Sequence, residues 1–380
     1  MDTNWIPRLL LDQLRPALEP NKVIMLVGAR RIGKTALLQK LAASLPAPYL
    51  WMNGEDFATA ELLARRTEAN YRQLLGEKRI LLIDEAQKIP DIGWILKLMV
   101  DTLPGIQIVV TGSSAFDMHN TLGEPLTGRK KTFHLFPLAE EEWAKVESPM
   151  ERKDRLRERL VFGSYPEIAR IQEREGKAAY LSELVHSYLL KDIFSLEGIR
   201  SANKIKDLLR LLAFQVGEEV SAHELGRQLG MSKNTVDKYL DLLEKFFVVY
   251  SLSGFSRNLR KEIVKNRKWY FVDNGLRNVL ISNLNPLELR NDQGKLWENY
   301  ILSERVKHQH YRRMLVNNFF WRTYDQQEID WIEEREGTLF AYECKWNPAA
   351  KASPPVAWQK AYPESRFSVI HPENYTDWVL

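Results

Sequence analysis

The segment "GARRIGKT" at residues 28–35 carries residue types that bind phosphate. It follows the apolar run "VIMLV" and opens a helical pattern, which is the context of a phosphate-binding loop. Glycines let the backbone wrap around phosphate oxygens, Lys34 reaches the β- and γ-phosphates, and the Thr35 hydroxyl ligates Mg²⁺. The pattern therefore predicts an ATP site. The residues predicted to contact the nucleotide are Gly28, Ala29, Arg30, Arg31, Ile32, Gly33, Lys34, Thr35 and Ala36.

Two acidic residues follow a second apolar run, "RILLIDEAQ", about fifty residues after the loop. An acid at the end of such a strand can hold the magnesium shell, and the next can orient or deprotonate the attacking water. These roles are predicted for Asp84 and Glu85, respectively. Together with the loop, the pair predicts ATP hydrolysis.

The residues after the next apolar run allow more than one role. In "IQIVVTGSSA", Thr111, Ser113 or Ser114 is placed to sense the γ-phosphate, while capping of the following turn explains the same hydroxyls equally well. Arg129 in "LTGRKKTF" is a candidate arginine finger for a neighbouring subunit's nucleotide, or a residue of a solvated basic turn. Both pairs of alternatives stay open.

A second group of charged residues lies near the carboxyl terminus, in "EIDWIEEREGTLFAYECKW" at 328–346. Strand alternation puts Glu343 and Lys345 on one face, and a hairpin brings Asp330 onto the neighbouring strand. Glu298 lies on the preceding predicted helix. The alternative is a charged, solvated hairpin, in which Glu328 is a surface neighbour of Asp330 and Cys344 a small core residue.

Basic residues between these two groups predict contact with DNA. In "LGMSKNTVDKYLDLL", the second helix of a helix-turn-helix pattern presents Lys233, Asn234 and Lys238. Such helices also serve as lids or subunit contacts. Residues 253–270 have a local net charge of +5 and aromatic flanks, which is typical of a backbone-binding wing or of a solvated hairpin with core aromatics. Its basic residues are Arg257, Arg260, Lys261, Lys265, Arg267 and Lys268.

The elements that must position these residues predict an α/β fold. Short apolar runs alternate with helical segments in the first third, which indicates a parallel sheet covered on both faces. We predict four regions: a P-loop core at 1–137, a helical lid or linker at 138–210, a winged helix at 211–272, and an α/β or α+β region at 273–380.

Composition narrows the class of protein. The 380 residues include 44% hydrophobic residues and carry a net charge of +4, which is ordinary for a folded protein and too mild to identify a nucleic-acid binder. The single cysteine excludes an intramolecular disulfide. Because no window approaches eighteen uncharged apolar residues, we expect a cytoplasmic chain without a membrane anchor.

The motifs together resemble the bacterial and archaeal AAA-type ATPases that carry a C-terminal domain of originally unknown function. The resemblance is carried by "GARRIGKTALL", "LLIDEAQKIP", "VVTGSSA", "LTGRKKTFHLFPLAEEEW", "GSYPE", "YFVDNGLRN", "GKLWENYIL" and "YECKW". "GSYPE" is similar to the glycine-x-proline loops of related signalling ATPases. That likeness implies that Tyr165 and Pro166 lie against the nucleotide.

The C-terminal domain of that family resembles the PD-(D/E)xK nucleases, in which helix and strand carboxylates bind a divalent metal. The resemblance implies a Mg²⁺ or Mn²⁺ site formed by Glu298, Asp330 and Glu343, with Lys345 assisting the nucleophile. We therefore expect an ATPase that switches a DNA-acting, nuclease-like domain. The alternatives are an ATP-switched DNA- or partner-binding protein that does not cleave, and an ATPase that acts on protein partners. Whether the chain forms oligomers stays open.

Overall fold

The computed structural model describes residues 5–112, 126–189, 202–256 and 267–380. It divides into two compact units, Met1–Phe136 with Lys245–Phe247, and Pro137–Glu244 with Val248–Leu380. The longer segment of the first unit ends at Phe136, one residue before the boundary predicted at 137. The predicted subdivision of the remaining chain into three regions stays a prediction.

The first unit is built on a parallel five-stranded sheet, as the sequence predicts. The strand order is β2-β3-β4-β1-β5, and every pair is parallel. Central strands are buried along their length because helices cover both faces, which explains their continuous apolar runs. The strands are β1 (Lys22–Val27), β2 (Tyr49–Asn53), β3 (Ile80–Asp84), β4 (Gln107–Gly112) and β5 (Lys130–His134).

Helices connect these strands. Thr67 caps one of them by accepting from the Asn70 backbone N–H, and Asp56 caps another through Ala58. The helices are α1 (Leu9–Ala17), α2 (Lys34–Ala43), α3 (Phe57–Ala64), α4 (Glu68–Leu75) and α5 (Ile92–Thr102).

The second unit begins with helices. Ser148 and Glu151 form a capping box at the start of the second of them, with Pro149 as its first residue. Gly230, at φ +59°, ends one helix shortly before the next begins, as the helix-turn-helix pattern predicts. These helices are α6 (Glu140–Trp143), α7 (Pro149–Phe162), α8 (Arg174–Glu183), a π-helical turn (Leu184–Leu189), α9 (Ala202–Phe214), α10 (Ala222–Leu229) and α11 (Lys233–Lys245).

A single seven-stranded sheet follows, in the order β12-β11-β10-β9-β7-β8-β6. A parallel pairing of β7 with β9 joins the strands of the predicted wing to those of the C-terminal region. The elements are β6 (Glu219–Val220), β7 (Val249–Gly254), β8 (Arg267–Phe271), α12 (Asn274–Leu280), α13 (Gln293–Tyr311), β9 (Asn317–Arg322), β10 (Glu328–Arg335), β11 (Thr338–Cys344), α14 (Val356–Ala361), β12 (Arg366–Ile370) and α15 (Thr376–Val379).

The mixed α/β class and the parallel P-loop sheet are confirmed. A winged helix and a restriction-endonuclease-like domain stay predictions for the second unit. None of the helices in the described part of the chain is long and apolar enough to cross a membrane.

Candidate functional site

The phosphate loop has the backbone geometry that its glycines predict. A Cβ atom at Gly28 would lie 2.2 Å from the Leu135 carbonyl oxygen, so no larger residue fits there. Gly33 has φ +92°, a left-handed conformation that favours glycine, and it immediately precedes α2. The loop therefore turns directly into a helix N-terminus, where unpaired backbone amides attract phosphate.

Lys34 is held at this loop rather than extended into solvent. Its side chain is buried, and the Nζ atom donates to the carbonyl oxygens of Gly28 at 2.9 Å and Ala29 at 2.8 Å. These contacts keep the ammonium group beside the loop backbone, where phosphate groups would bind.

Asp84 at the end of β3 is oriented by two hydroxyl groups. Thr35 donates to its Oδ2 atom at 2.7 Å, and Thr111 at the end of β4 donates to Oδ1. Each hydroxyl has one proton, so both protons are committed to the carboxylate while the oxygen lone pairs remain acceptors. The Thr35 oxygen is thereby prepared to ligate a cation.

Thr111 also positions the neighbouring acid. The Glu85 backbone N–H donates to Thr111 Oγ1 at 2.9 Å, and Glu85 itself has φ +50°. Its carboxylate accepts a hydrogen bond from the Gln87 side chain at 2.6 Å. Thr111 thus connects both predicted acidic residues. This role differs from the γ-phosphate sensing and turn capping that its position in the sequence indicates.

Arg8 is a residue of this site that its sequence context does not reveal. It is buried, and its guanidinium donates to the carbonyl oxygens of Ile32 at 2.8 Å and of Phe136. Its hydrogen bonds therefore connect the phosphate loop with the segment after β5. The segment "WIPRLLL" contains no motif, and the contact with Ile32 spans 24 residues.

Arg129 lies at the other end of the sheet. Its carbonyl oxygen accepts from the Val23 backbone N–H, and its guanidinium pairs with Asp101 at 2.6 Å. Gly28 directly follows β1 and is five residues beyond Val23, about 16 Å away at the usual rise per strand residue. Arg129 thus lies away from the loop of its own chain, and its role as an arginine finger for a neighbouring subunit's nucleotide stays a prediction.

The other predicted nucleotide contacts are not brought to the loop by the described structure of the first unit. Ser113 lies outside the described residues. Tyr165 and Pro166 belong to the second unit. Their nucleotide contact stays a prediction.

The carboxyl-terminal carboxylates lie on adjacent strands, as the hairpin pattern predicts. The antiparallel register pairs Trp331 with Tyr342, and its continuation places Asp330 opposite Glu343. Asp330 accepts the Cys344 backbone N–H at 2.8 Å, and Lys345 donates to Glu343 at 2.6 Å.

We define the carboxylate cluster as Glu298 on α13, Glu328 and Asp330 on β10, and Glu343 on β11, and two residues of β8 contact it. Tyr270 donates its hydroxyl to Glu298 at 2.7 Å, and buried Lys268 forms an ion pair with Glu328. Glu328 is therefore more than a surface neighbour of Asp330. Cys344 is buried, as expected, and burial raises the pKa of its thiol.

The carboxylates disfavour one another's ionised forms. Burial, followed by repulsion from Asp330, raises the pKa of Glu298 to about 8. Burial and the nearby charge of Asp330 also raise the pKa of Glu343, and burial raises the pKa of Asp330. A cation placed among them would relieve this repulsion.

The donor chemistry of the cluster suits Mg²⁺ or Mn²⁺, which prefer hard oxygen ligands. The side chains are nevertheless not assembled into a ligand set. Across the described ranges, with gaps at 113–125, 190–201 and 257–266, no group of three or more His, Cys, Asp or Glu residues is arranged to hold a metal ion.

The predicted DNA-facing residues divide into three groups. Lys233, Asn234 and Lys238 are exposed on α11, as a recognition helix requires. Lys268 and the aromatic flanks of the basic segment are buried, so they belong to the core and not to a DNA-facing wing. Of the other basic residues of this segment, Arg267 is exposed on β8, while Arg257, Arg260, Lys261 and Lys265 lie outside the described residues.

Three family models match consecutive parts of the chain. Residues 20–144 match the AAA domain, and this range covers the phosphate loop, Asp84 and Glu85. Residues 153–288 match a domain of unknown function (DUF8612), and residues 293–376 match a second one (DUF4143). The first unit is therefore an AAA-type, P-loop ATPase domain, and its predicted recognition is confirmed at that level.

The solved structures that match this chain are distant. The chain has a TM-score of 0.31 and 14% identity with a RuvB variant of Thermotoga maritima, covering 64% of this chain and 86% of that one. With the STAND protein PH0952 of Pyrococcus horikoshii, the TM-score is 0.30 and the identity 13%, over 82% and 48% of the two chains. These scores are too low to support further argument.

Sequence relatives are closer. Uncharacterized protein MJ1544 of Methanocaldococcus jannaschii is 24% identical over 93% of this chain and 81% of its own length. Uncharacterized protein Rv2008c of Mycobacterium tuberculosis is 30% identical over 340 residues, which is 88% of this chain and 72% of that protein. The chain, with its AAA-type ATPase domain, therefore belongs to the same family as the mycobacterial protein Rv2008c.

Proposed function

We propose that the first unit binds and hydrolyses ATP with Mg²⁺. The observation that carries this proposal is the fixed Asp84 carboxylate, which accepts hydrogen bonds from the hydroxyl groups of both Thr35 and Thr111. This arrangement leaves the Thr35 oxygen available to a cation at the mouth of a phosphate loop.

The chain's own residues divide the work of hydrolysis. Thr35 and Asp84 would hold Mg²⁺, which supplies charge neutralisation for the phosphates when bound. Lys34 exchanges its loop carbonyl partners for β- and γ-phosphate oxygens, and the amides of α2 orient the same groups. Glu85 accepts the proton of the attacking water, with its backbone fixed by Thr111.

For the second unit, we propose a DNA-acting, nuclease-like site whose arrangement is switched by the nucleotide state of the first. Asp330 and Glu343 face each other across a strand pair, and Lys345 lies beside Glu343. Asp330, Glu343 and Glu298 would hold Mg²⁺ or Mn²⁺, and Lys345 would neutralise charge at the scissile phosphate. The exposed basic residues of α11 support DNA as the partner.

A specific observation favours the alternative, in which the second unit binds DNA or a protein partner without cleaving. Lys268 already places a positive charge on Glu328, and the described carboxylates do not form a three-residue ligand group. Nuclease-like folds also occur without cleavage. Self-association, with Arg129 acting on a neighbouring chain, belongs to either version.

ATP hydrolysis is tested by phosphate release from the purified chain with Mg²⁺ and ATP. Glu85→Gln should abolish turnover while leaving nucleotide binding intact, because it removes the proton acceptor and preserves the shape of the side chain. Turnover by Glu85→Gln equal to that of the wild type would remove the proposed mechanism.

DNA cleavage is tested on plasmid and oligonucleotide substrates with Mg²⁺ or Mn²⁺, with and without ATP. Cleavage that is lost in Asp330→Asn and that depends on Lys34 supports a switched nuclease. Salt-sensitive DNA affinity between about 50 and 200 mM salt without cleavage supports the non-cleaving alternative. If neither DNA cleavage nor salt-sensitive DNA binding is found, the remaining candidate is an ATPase that acts on protein partners.

A further inference from the structure

Lys268 is an unusual lysine because its charged group is buried inside the second unit. Only 3% of its side chain is exposed, and its ammonium group lies 5.3 Å from the centre of the Phe320 ring. A buried ammonium ion is costly unless a negative charge compensates it. Glu328 provides that charge through a direct ion pair.

The position of Lys268 on β8 connects it with the rest of the carboxylate cluster. Lys268 and Tyr270 are two residues apart and therefore project from the same face of the strand. Tyr270 donates to Glu298, while Glu328 and Asp330 share a face of β10. Lys268 thus lies on one side of the cluster.

Lys345 compensates a second member of the cluster, Glu343. Arg322 lies 3.7 Å from Glu328 as well, so three cationic side chains face the four carboxyl groups of the cluster. A divalent cation would be attracted by these carboxyl groups. Such a cation would also be repelled by Lys268, whose partner Glu328 is two residues from the proposed ligand Asp330.

We propose that Lys268 is a built-in counter-ion of the carboxylate cluster that competes with divalent cations and sets their affinity. This inference rests on the proposed metal-binding function of the second unit. Lys268 acts by neutralising the negative charge of Glu328 and does not touch substrate, so it is a positioning residue. Its presence makes a metal bind weakly unless Lys268 withdraws from Glu328.

The inference is tested by Mn²⁺ titration of the nucleotide-free full chain, with free Mn²⁺ measured by electron paramagnetic resonance. Lys268→Gln removes the charge but retains a hydrogen-bond donor for Glu328. Its Kd for Mn²⁺ should be at least about tenfold lower than that of the wild type, since one repelling charge is gone. Lys268→Arg keeps the charge and should bind Mn²⁺ as the wild type does.

Two further variants keep the result decisive. Lys268→Met provides a second neutral side chain if the glutamine variant melts at a much lower temperature. In both variants Arg322 stays 3.7 Å from Glu328 as a cationic neighbour. Asp330→Asn in the Lys268→Gln background should abolish the gain in affinity, which assigns the bound ion to the cluster.

The outcomes separate this inference from the proposed function. Equal Mn²⁺ affinity in the wild type and both neutral variants, with binding that still depends on Asp330, overturns the counter-ion role and retains the metal site. If neither the wild type nor the neutral variants bind Mn²⁺ through Asp330, the metal site itself is rejected, together with the counter-ion role.

Discussion

The two acidic sites of this chain differ in what surrounds their carboxylates. At the phosphate loop, Asp84 is held by two neutral hydroxyl groups, from Thr35 and Thr111. In the carboxylate cluster, Glu328 and Glu343 are each paired with a lysine ammonium group. Hydroxyl groups orient a carboxylate without cancelling its charge, whereas ammonium groups cancel it.

This difference determines how each site can bind a cation. A hydroxyl that donates to Asp84 still offers lone pairs, so Thr35 and a metal can act together. A lysine has no acceptor and excludes a cation from the space it occupies. Under the proposed function, the first site can bind Mg²⁺ as it stands, while the second must move a lysine or bind a metal weakly.

The largest effect should come from the phosphate loop. Lys34→Ala removes the only loop side chain predicted to reach the β- and γ-phosphates, so we expect kcat for ATP hydrolysis to fall at least about 100-fold. Phosphate release with Mg²⁺ and ATP measures this. Lys131→Ala is the matched control, because Lys131 is exposed and pairs with Glu19. A similar loss in both variants would contradict the specific role of Lys34.

Thr111→Val tests whether neutral donors organise the first site. Valine has nearly the same shape but neither donates to Asp84 nor accepts from the Glu85 backbone N–H. We expect kcat to fall about tenfold to a hundredfold, from the loss of hydrogen bonds that involve a charged group, with a smaller change in KM.

Rescue makes the Thr111 experiment specific. Thr111→Ser restores the hydroxyl and should recover most of the rate, whereas a packing role would make serine at least as harmful as valine. A rate loss in Thr111→Ser equal to that in Thr111→Val would therefore reject the hydrogen-bonding explanation.

The sequence predicts the first unit well because local features specify it. Apolar runs, a glycine-containing loop and acids at a strand end each carry their own signal, and the parallel sheet that they predict is present. Arg8 escapes prediction because its contact with Ile32 depends on tertiary structure alone.

The second unit is harder to predict because its defining contacts are long-range. The pairing of β7 with β9 joins Ser253 to Phe319, and no sequence period marks it. Lys268 follows several basic residues, so composition places it on a DNA-facing surface, while the structure buries it beside Glu328. Local charge describes a segment but not which of its side chains point inward.

Asp292 offers a reference for a carboxylate whose charge is fully compensated. Burial raises its pKa, but hydrogen bonds from Arg290 and Arg277 outweigh this and lower the pKa to about 2. The folded-state pKa lies below the ordinary value, so this contribution to stability is present above about pH 4 and is lost as the pH falls towards 2.

Urea unfolding measured across this pH range tests the compensation. Replacing Asp292 with asparagine should remove about 1–2 kcal/mol of the acid-dependent change in unfolding free energy, a figure reduced for the partial exposure of the site. Asp325→Asn alters an exposed carboxylate and should leave the profile unchanged. An unchanged profile in Asp292→Asn would show that the arginines do not stabilise the ionised form.

The smallest effect concerns Arg129, whose pair with Asp101 is exposed at the sheet end away from the phosphate loop. Exposed ion pairs are screened by water and salt, so Arg129→Ala should change the unfolding free energy by less than about 1 kcal/mol. Asp101→Ala removes the other partner and should give a similar change in urea unfolding.

An arginine finger that acts on a neighbouring chain would have a second signature. ATP turnover per chain would then rise with protein concentration in the wild type and in Asp101→Ala, but not in Arg129→Ala. Turnover that is independent of concentration in all three proteins would leave Arg129 as a surface residue, and the first site would then be complete within one chain.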